Sequence, residues 1–208
     1  MTRKLARMNR YPVIRLGAMT LAALALSGCM RGVPEPALSV RDAQYMALVP
    51  IWQVEPDFER YEVDYRTAEE PGTIIVDSRS RHLYFVLPEG RAIRYGVAVG
   101  AEAFGWTGVA TVAHKAEWPR WTPPPEMLRR WPHLAPRAGG MEGGPDNPLG
   151  ARALYLHQNG RDTLYRIHGT NEPETIGREA SSGCIRMRNI DVIDLYNRVK
   201  PGAKVIVI

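Results

Sequence analysis

His168-Gly-Thr-Asn-Glu-Pro-Glu-Thr-Ile-Gly-Arg-Glu-Ala-Ser-Ser-Gly-Cys184-Ile-Arg-Met-Arg-Asn189 is the stretch around which the rest of this 208-residue chain is read. It places a histidine at the end of a strand-like run and, after a polar loop, a cysteine preceded by glycine. A thiol is a strong nucleophile as thiolate, and a neighbouring imidazole is a common way to make it one. Gly183 allows a sharp backbone turn and a close approach to a ligand. Such a turn would aim the amides of Gly183 and Cys184 at one point, as an oxyanion hole requires. A Cys/His pair alone carries little information, because such signatures do not transfer between protein families.

Outward from this stretch, short β-rich runs alternate with turn signals. Residues 73–77 and 83–87 read as a hairpin around Asp77-Ser-Arg-Ser80, with further strands at 92–99 and 108–114. Residues 153–158 and 164–168 read as a second hairpin around Asn159-Gly160, and 204–208 as a closing strand. Alternation along Leu164-Tyr-Arg-Ile-His168 puts His168 on the face of Leu164 and Arg166, opposite Tyr165 and Ile167. One helix is expected, with Asn189 as N-cap, Asp191 in the first turn, and Val192, Leu195, Tyr196 and Val199 as its buried stripe. Pro201-Gly202 ends it. The fold class is mainly β, a mixed sandwich or barrel-like domain with this helix bracing the cysteine turn.

The remaining strings join this pattern. Pro71-Gly-Thr-Ile-Ile-Val-Asp, Trp118-Pro-Arg-Trp-Thr-Pro-Pro, Gly144-Pro-Asp-Asn-Pro-Leu-Gly-Ala-Arg-Ala-Leu-Tyr-Leu, His168-Gly-Thr and Ser181-Ser-Gly-Cys-Ile-Arg-Met together resemble the catalytic domain of the L,D-transpeptidases. These are bacterial cell-wall enzymes that cross-link or decorate peptidoglycan. The resemblance covers residues 71–208 and implies Cys184 as nucleophile, His168 as general acid/base, and Gly183 as part of the oxyanion hole. It gives the carbonyl of Gly169 the task of orienting His168. Ser182 stands where the family often has histidine. Arg186, Thr170, Asn171, Ser182 and Trp118 are expected to meet substrate. The implied donor is a tetrapeptide stem that loses its terminal D-alanine to form a Cys184 thioester, with no cofactor or metal. The acceptor stays open between another stem's diamino acid, giving a 3→3 cross-link, an amine of an outer-membrane protein, a free D-amino acid, and water, which would make an L,D-carboxypeptidase. Other readings are a non-catalytic peptidoglycan-binding lipoprotein and a papain-like peptidase. The papain order of nucleophile and histidine is the reverse of this one.

The N-terminal residues explain the charge balance. Residues 1–28 hold Arg3, Lys4, Arg7, Arg10 and Arg15 and no acid; without those five, 22 basic residues face 22 acidic ones. Nucleic-acid binding loses its electrostatic support. A basic start, an apolar run from Leu16 to Leu26 and Leu26-Ser-Gly-Cys29 resemble a lipoprotein signal with Cys29 as lipidation site. The implied location is the periplasmic side of a membrane, with Met30 after the cysteine favouring the outer membrane, and the implied state a monomer. Cys184 is then the one remaining thiol in an oxidising compartment. Residues 29–70 read as a tether and lead-in, with 31–60 spanning up to about 100 Å and docking expected near residues 61–65. Residues 118–149 form a long Pro/Gly-rich segment whose tryptophans fit either a flap over a groove or packing onto the sheet. Within it, 141–147 is the expected mobile part.

Overall fold

The computed structural model describes residues 30–100, 107–180 and 183–208. Residues 1–29, where the signal segment and the Cys29 lipidation site are expected, and Ser182 therefore lie outside the described residues. Among those described, twelve strands form one mixed sheet in the order β1-β2-β5-β4-β3-β12-β7-β8-β9-β11-β6-β10. The strands are β1 (Arg31–Gly32), β2 (Tyr61–Asp64), β3 (Ile74–Asp77), β4 (His82–Leu87), β5 (Arg91–Gly96) and β6 (Ala98–Gly100). They continue with β7 (Gly108–Glu117), β8 (Arg152–Gln158), β9 (Arg161–His168), β10 (Glu179–Ala180), β11 (Ile185–Arg186) and β12 (Lys204–Val207). Helices α1 (Val40–Met46), α2 (Pro125–Arg130) and α3 (Asn189–Arg198) complete the regular structure with three short 3₁₀ turns.

Both expected hairpins form for the expected local reasons. The Asp77 carboxylate accepts from the amides of Arg79 (3.0 Å) and Ser80 (3.1 Å), which turns β3 into β4. Asn159 and Gly160 take φ of 52° and 75°, the double left-handed turn that matches strand twist between β8 and β9. The run 92–99 is not one strand: it breaks at Val97, and β5 and β6 occupy the third and eleventh places in the sheet. A single residue joins them, so the sheet must curl until its ends meet. This curl is the physical content of the sandwich or barrel-like class.

The last strand does not close an edge. β12 pairs parallel with β3 and antiparallel with β7, and so welds the N-terminal meander to the β7-β8-β9 half. One apolar core fills the curl, with Ile74, Leu83, Tyr95, Leu154, Ile167 and Ile185 each within 2% of complete burial. The expected helical stripe meets it: Val192, Leu195 and Val199 are buried, and Tyr196 sits half-exposed under the Lys115 ammonium, 4.2 Å from its ring. Lys115 also donates to the carbonyls of Tyr196 and Val199, both at 2.6 Å, satisfying the helix's last turn.

Residues 31–60 differ from the extended tether expected of them. Ser39 caps α1 and forms a reciprocal box with Asp42. Asp42 is buried and takes hydrogen bonds from Trp118 Nε1 and from both terminal nitrogens of Arg152, all at 2.8 Å. Val54 and Phe58 are buried, and Arg60 reaches Asp191 at 3.1 Å. The segment is clasped to the sheet by charges and aromatics that no local periodicity reveals. The 141–147 stretch is also tied down. Asn147 is buried, and its amide donates to the carbonyls of Pro119, Met141 and Glu142 while Met141 bridges Trp121.

Candidate active site

The cysteine loop is anchored at both ends by a single strand. Glu179 of β10 and Ile185 of β11 both pair with Val99 of β6, so the chain leaves and returns to one point. β11 then runs parallel to β9, with Ile185 opposite Ile167 and Arg186 opposite His168. Register puts Cys184 beside Arg166, two residues along from His168 and on the same face. A two-residue step along a strand and one across give a Cα separation of about 8 Å, which two inward side chains can bridge. Cys184, Leu164, Arg166, His168 and Arg186 all line one cleft of about 750 Å³. That volume suits a peptide-sized ligand. The alternation expected along β9 holds at this face, with Ile167 in the core behind it.

His168 is 4% exposed. Its Nδ1 lies 2.6 Å from the Gly169 carbonyl, which can only accept, so Nδ1 carries the proton and Nε2 is the basic nitrogen. The turn that presents that carbonyl is built by Asn189, a residue sequence reasoning assigned elsewhere. Asn189 is not the N-cap of α3, since Arg188 holds that place and makes no side-chain cap. Instead Asn189 Oδ1 accepts from the amides of Ala151 (2.9 Å) and Thr170 (3.1 Å). A Cβ on Gly169 or on Gly150 would stand 2.2 Å from that oxygen, so both positions need glycine. The amide of Gly169 donates to Arg152 (3.0 Å), and Met187 donates to His168 (2.8 Å). The imidazole is thus held through its backbone on both sides.

Electrostatics set the resting protonation. Burial, with Arg186 nearby, pushes His168 down to about 3. Burial pushes the Cys184 thiol up, opposed by the Arg166 amide and by the Arg166 and Arg186 guanidiniums. The sulfur is recessed in the cleft floor but not sealed, since Cys184 is partly exposed. Burial thus disfavours the charged form of both groups, raising the thiol and lowering the imidazole. Leu164 adds a feature of its own. It takes φ 63° within β9, and its carbonyl is 4.0 Å from the sulfur. Asp162 and Thr163 side chains support this bulge by accepting from the amides of Leu164 (2.8 Å) and Tyr165 (3.1 Å).

The other expected substrate residues divide. Arg186 and Asn171 line the cleft, while Gly183 lines a second recess beside Cys184. Trp118 does not reach the cleft: it is 5% exposed, edge-on to Tyr45 and bonded to Asp42. Trp121 and Trp131 line the cleft in its place. Thr170 is buried, its hydroxyl accepting from the Glu172 amide at 2.9 Å, so it shapes the loop and lies outside the cleft wall. Arg166 was missed as a site residue, although its alternation with His168 was the available signal.

A family model described as YkuD, the L,D-transpeptidase catalytic domain, matches residues 71–207. The chain belongs to this family. A probable L,D-transpeptidase, ErfK/SrfK of Escherichia coli, is 35% identical over 139 residues, covering 65% of this chain and 43% of that protein. A putative L,D-transpeptidase of Fuscovulum blasticum is 34% identical over 138 residues, covering 65% and 68%. The chain thus spans less than half the length of the E. coli relative. A crystal structure from Brucella melitensis, described as a probable carnitine operon oxidoreductase, is 49% identical with a TM-score of 0.53, covering 74% of this chain and 96% of that one. That description differs from those of the curated relatives, which agree with the family match.

Proposed function

We propose that this YkuD-family chain is a peptidoglycan L,D-transpeptidase whose acyl group is carried on Cys184. The observation that supports this most is that Cys184, immediately before β11, and His168, the last residue of the parallel neighbour β9, line one cleft, with Nδ1 engaged by Gly169 and Nε2 left to act as base. Cys184 attacks the carbonyl between the third stem residue and the terminal D-alanine as its proton passes to Nε2. The Gly183 and Cys184 amides stabilise the oxyanion. The imidazolium gives that proton to the departing amine, the C–N bond breaks, and a thioester remains. An acceptor amine then attacks the thioester, loses its proton to His168, and the sulfur leaves and recovers it.

A second approach to the sulfur favours transfer over hydrolysis. Two recesses meet at Cys184 and share Pro124, Met127, Trp131 and Leu164 as their dividing wall. One suits the donor stem and the other an amine acceptor, either a diamino acid side chain or a protein amine. The deciding experiment incubates the protein with a carbapenem and with tetrapeptide muropeptides, reading intact mass and products. A covalent adduct on the wild type that disappears in Cys184→Ala supports the reading; unmodified protein with no D-alanine release overturns it.

We also propose lipidation at Cys29 and residence on the periplasmic side of a membrane, from the Leu26-Ser-Gly-Cys29 string. Fractionation of Cys29→Ser should move the protein out of the membrane pellet. An unchanged distribution removes the anchor.

A further inference from the structure

Among the described residues, the cleft lining carries four guanidiniums, from Arg120, Arg137, Arg166 and Arg186, against one carboxylate, Glu172. The acids that pair with Arg120 and Arg166, Glu142 and Asp162, are not among the described residues that line the cleft. Among the described lining residues guanidiniums therefore outnumber carboxylates, although Arg120, Arg166 and Arg186 each hold an acidic partner. Arg166 is the most constrained of the four. Asp162 grips both of its terminal nitrogens at 2.9 Å, the Tyr165 carbonyl takes a third bond at 3.0 Å, and the Tyr155 ring lies 4.7 Å from the guanidinium carbon. Its side chain is 16% exposed. A planar fork fixed along one edge and stacked on one face presents its remaining donors in a set direction, which is how arginine recognises carboxylates.

Position says which part of a donor this fork meets. His168 protonates the departing D-alanine, and Arg186 stands beside His168 in the strand register. Arg166 stands one step away, beside Cys184, on the side of the acyl group that stays on the enzyme. We propose that Arg166, held by Asp162 and Tyr155, is a specificity-determining residue that selects acyl donors whose third residue carries a free side-chain carboxylate. A carboxamide at that place, or a diamino residue without the carboxylate, lacks the partner charge. This rests on the transpeptidase reading above and names its donor class.

The test measures Cys184 acylation by three synthetic tetrapeptide stems. They differ only at the third residue: a diaminodicarboxylic acid with its distal carboxyl free, the same residue amidated, and lysine. Wild-type kcat/KM should favour the free acid by about tenfold or more, the scale of one hydrogen bond to a charged group. Arg166→Gln should bring the ratio of free acid to amide to within about twofold, and Arg166→Lys, with charge but no fork, should fall between. A structural role would lower all three donors alike and leave the ratio intact, which overturns the proposal; so does a wild type indifferent to the carboxylate. Should Arg166→Gln fail to fold, the Arg166→Lys ratio decides alone. No acylation by any donor would instead defeat the transpeptidase reading.

Discussion

Two arginine–carboxylate pairs with nearly the same bond length stand on opposite sides of the histidine turn. Arg152 meets Asp42 at 2.8 Å with side chains 4% and 1% exposed, while Arg186 meets Glu172 at 2.9 Å with 13% and 53% exposed. Asp42 also accepts from Ser39 and Trp118; burial pushes its carboxyl up, but the hydrogen bonds from Arg152, Ser39 and Trp118 outweigh it and hold the group well below the usual range. The first pair joins the lead-in helix to the start of β8, whose Arg152 carbonyl takes the Gly169 amide. The second lies in the cleft with its acid open to water. Geometry alone does not separate a structural lock from an exchangeable contact; burial does.

Asp42→Ala tests the lock and should have the largest effect. It strands the Arg152 charge in the interior, a loss of about 3–5 kcal/mol, with a fall in Tm of about 10 °C or more. Replacing both partners by apolar residues should recover much of it, because no buried charge remains. Denaturant midpoints of the single and double variants read this. A single variant within about 1 kcal/mol of wild type would show that the pair is no different from a surface contact.

The histidine between the two pairs gives the next effect. An unfolded histidine titrates near pH 6.5, whereas His168 in the fold stays neutral to about 3. Between those values the unfolded chain binds a proton that the native chain refuses, so stability falls as pH drops through the window. His168→Gln lacks that contribution, and carboxylate titrations are common to both proteins. The stability difference between wild type and variant should therefore shift against the wild type from pH 7.5 to pH 4.5. A difference independent of pH would mean that His168 is not held neutral by its burial. The same burial places the acid limb of carbapenem acylation well below pH 6.5.

How much of this was readable in the sequence follows from the range of each interaction. The hairpins at Asp77 and Asn159-Gly160 are written locally, and so is the string that carries Cys184 and His168. The Asp42–Arg152 bond joins residues 110 apart, and no periodicity announces such a pairing. Its one local trace is Ser39-Val-Arg-Asp42, a capping-box pattern that marks α1 without saying where the helix docks. Trp118 and Trp121 sit in the same Pro-rich phrase, yet one is core and one is cleft, because the curl of the sheet decides which face each meets. Asn189 looked like a cap because caps favour that residue type. Its oxygen was instead drawn to two buried amides that only the fold brings beside it.

Glu172→Gln sharpens the comparison from the exposed side and should have the smallest effect on stability, within about 1 kcal/mol. Its consequence belongs to binding. Glu172 is the one carboxylate among the described residues of the cleft lining and bonds Arg186, so it would compete with the carboxylate of the proposed donor for that guanidinium. Removing its charge should lower KM for an anionic donor about two- to threefold, a change below 1 kcal/mol on the affinity scale. Added salt should shrink the gain, because exposed charges are screened within about 10 Å at ordinary ionic strength. Steady-state kinetics at two salt concentrations measures both. A KM that rises in Glu172→Gln would mean that the acid holds Arg186 in its working position, and the cleft pair would then be a second lock.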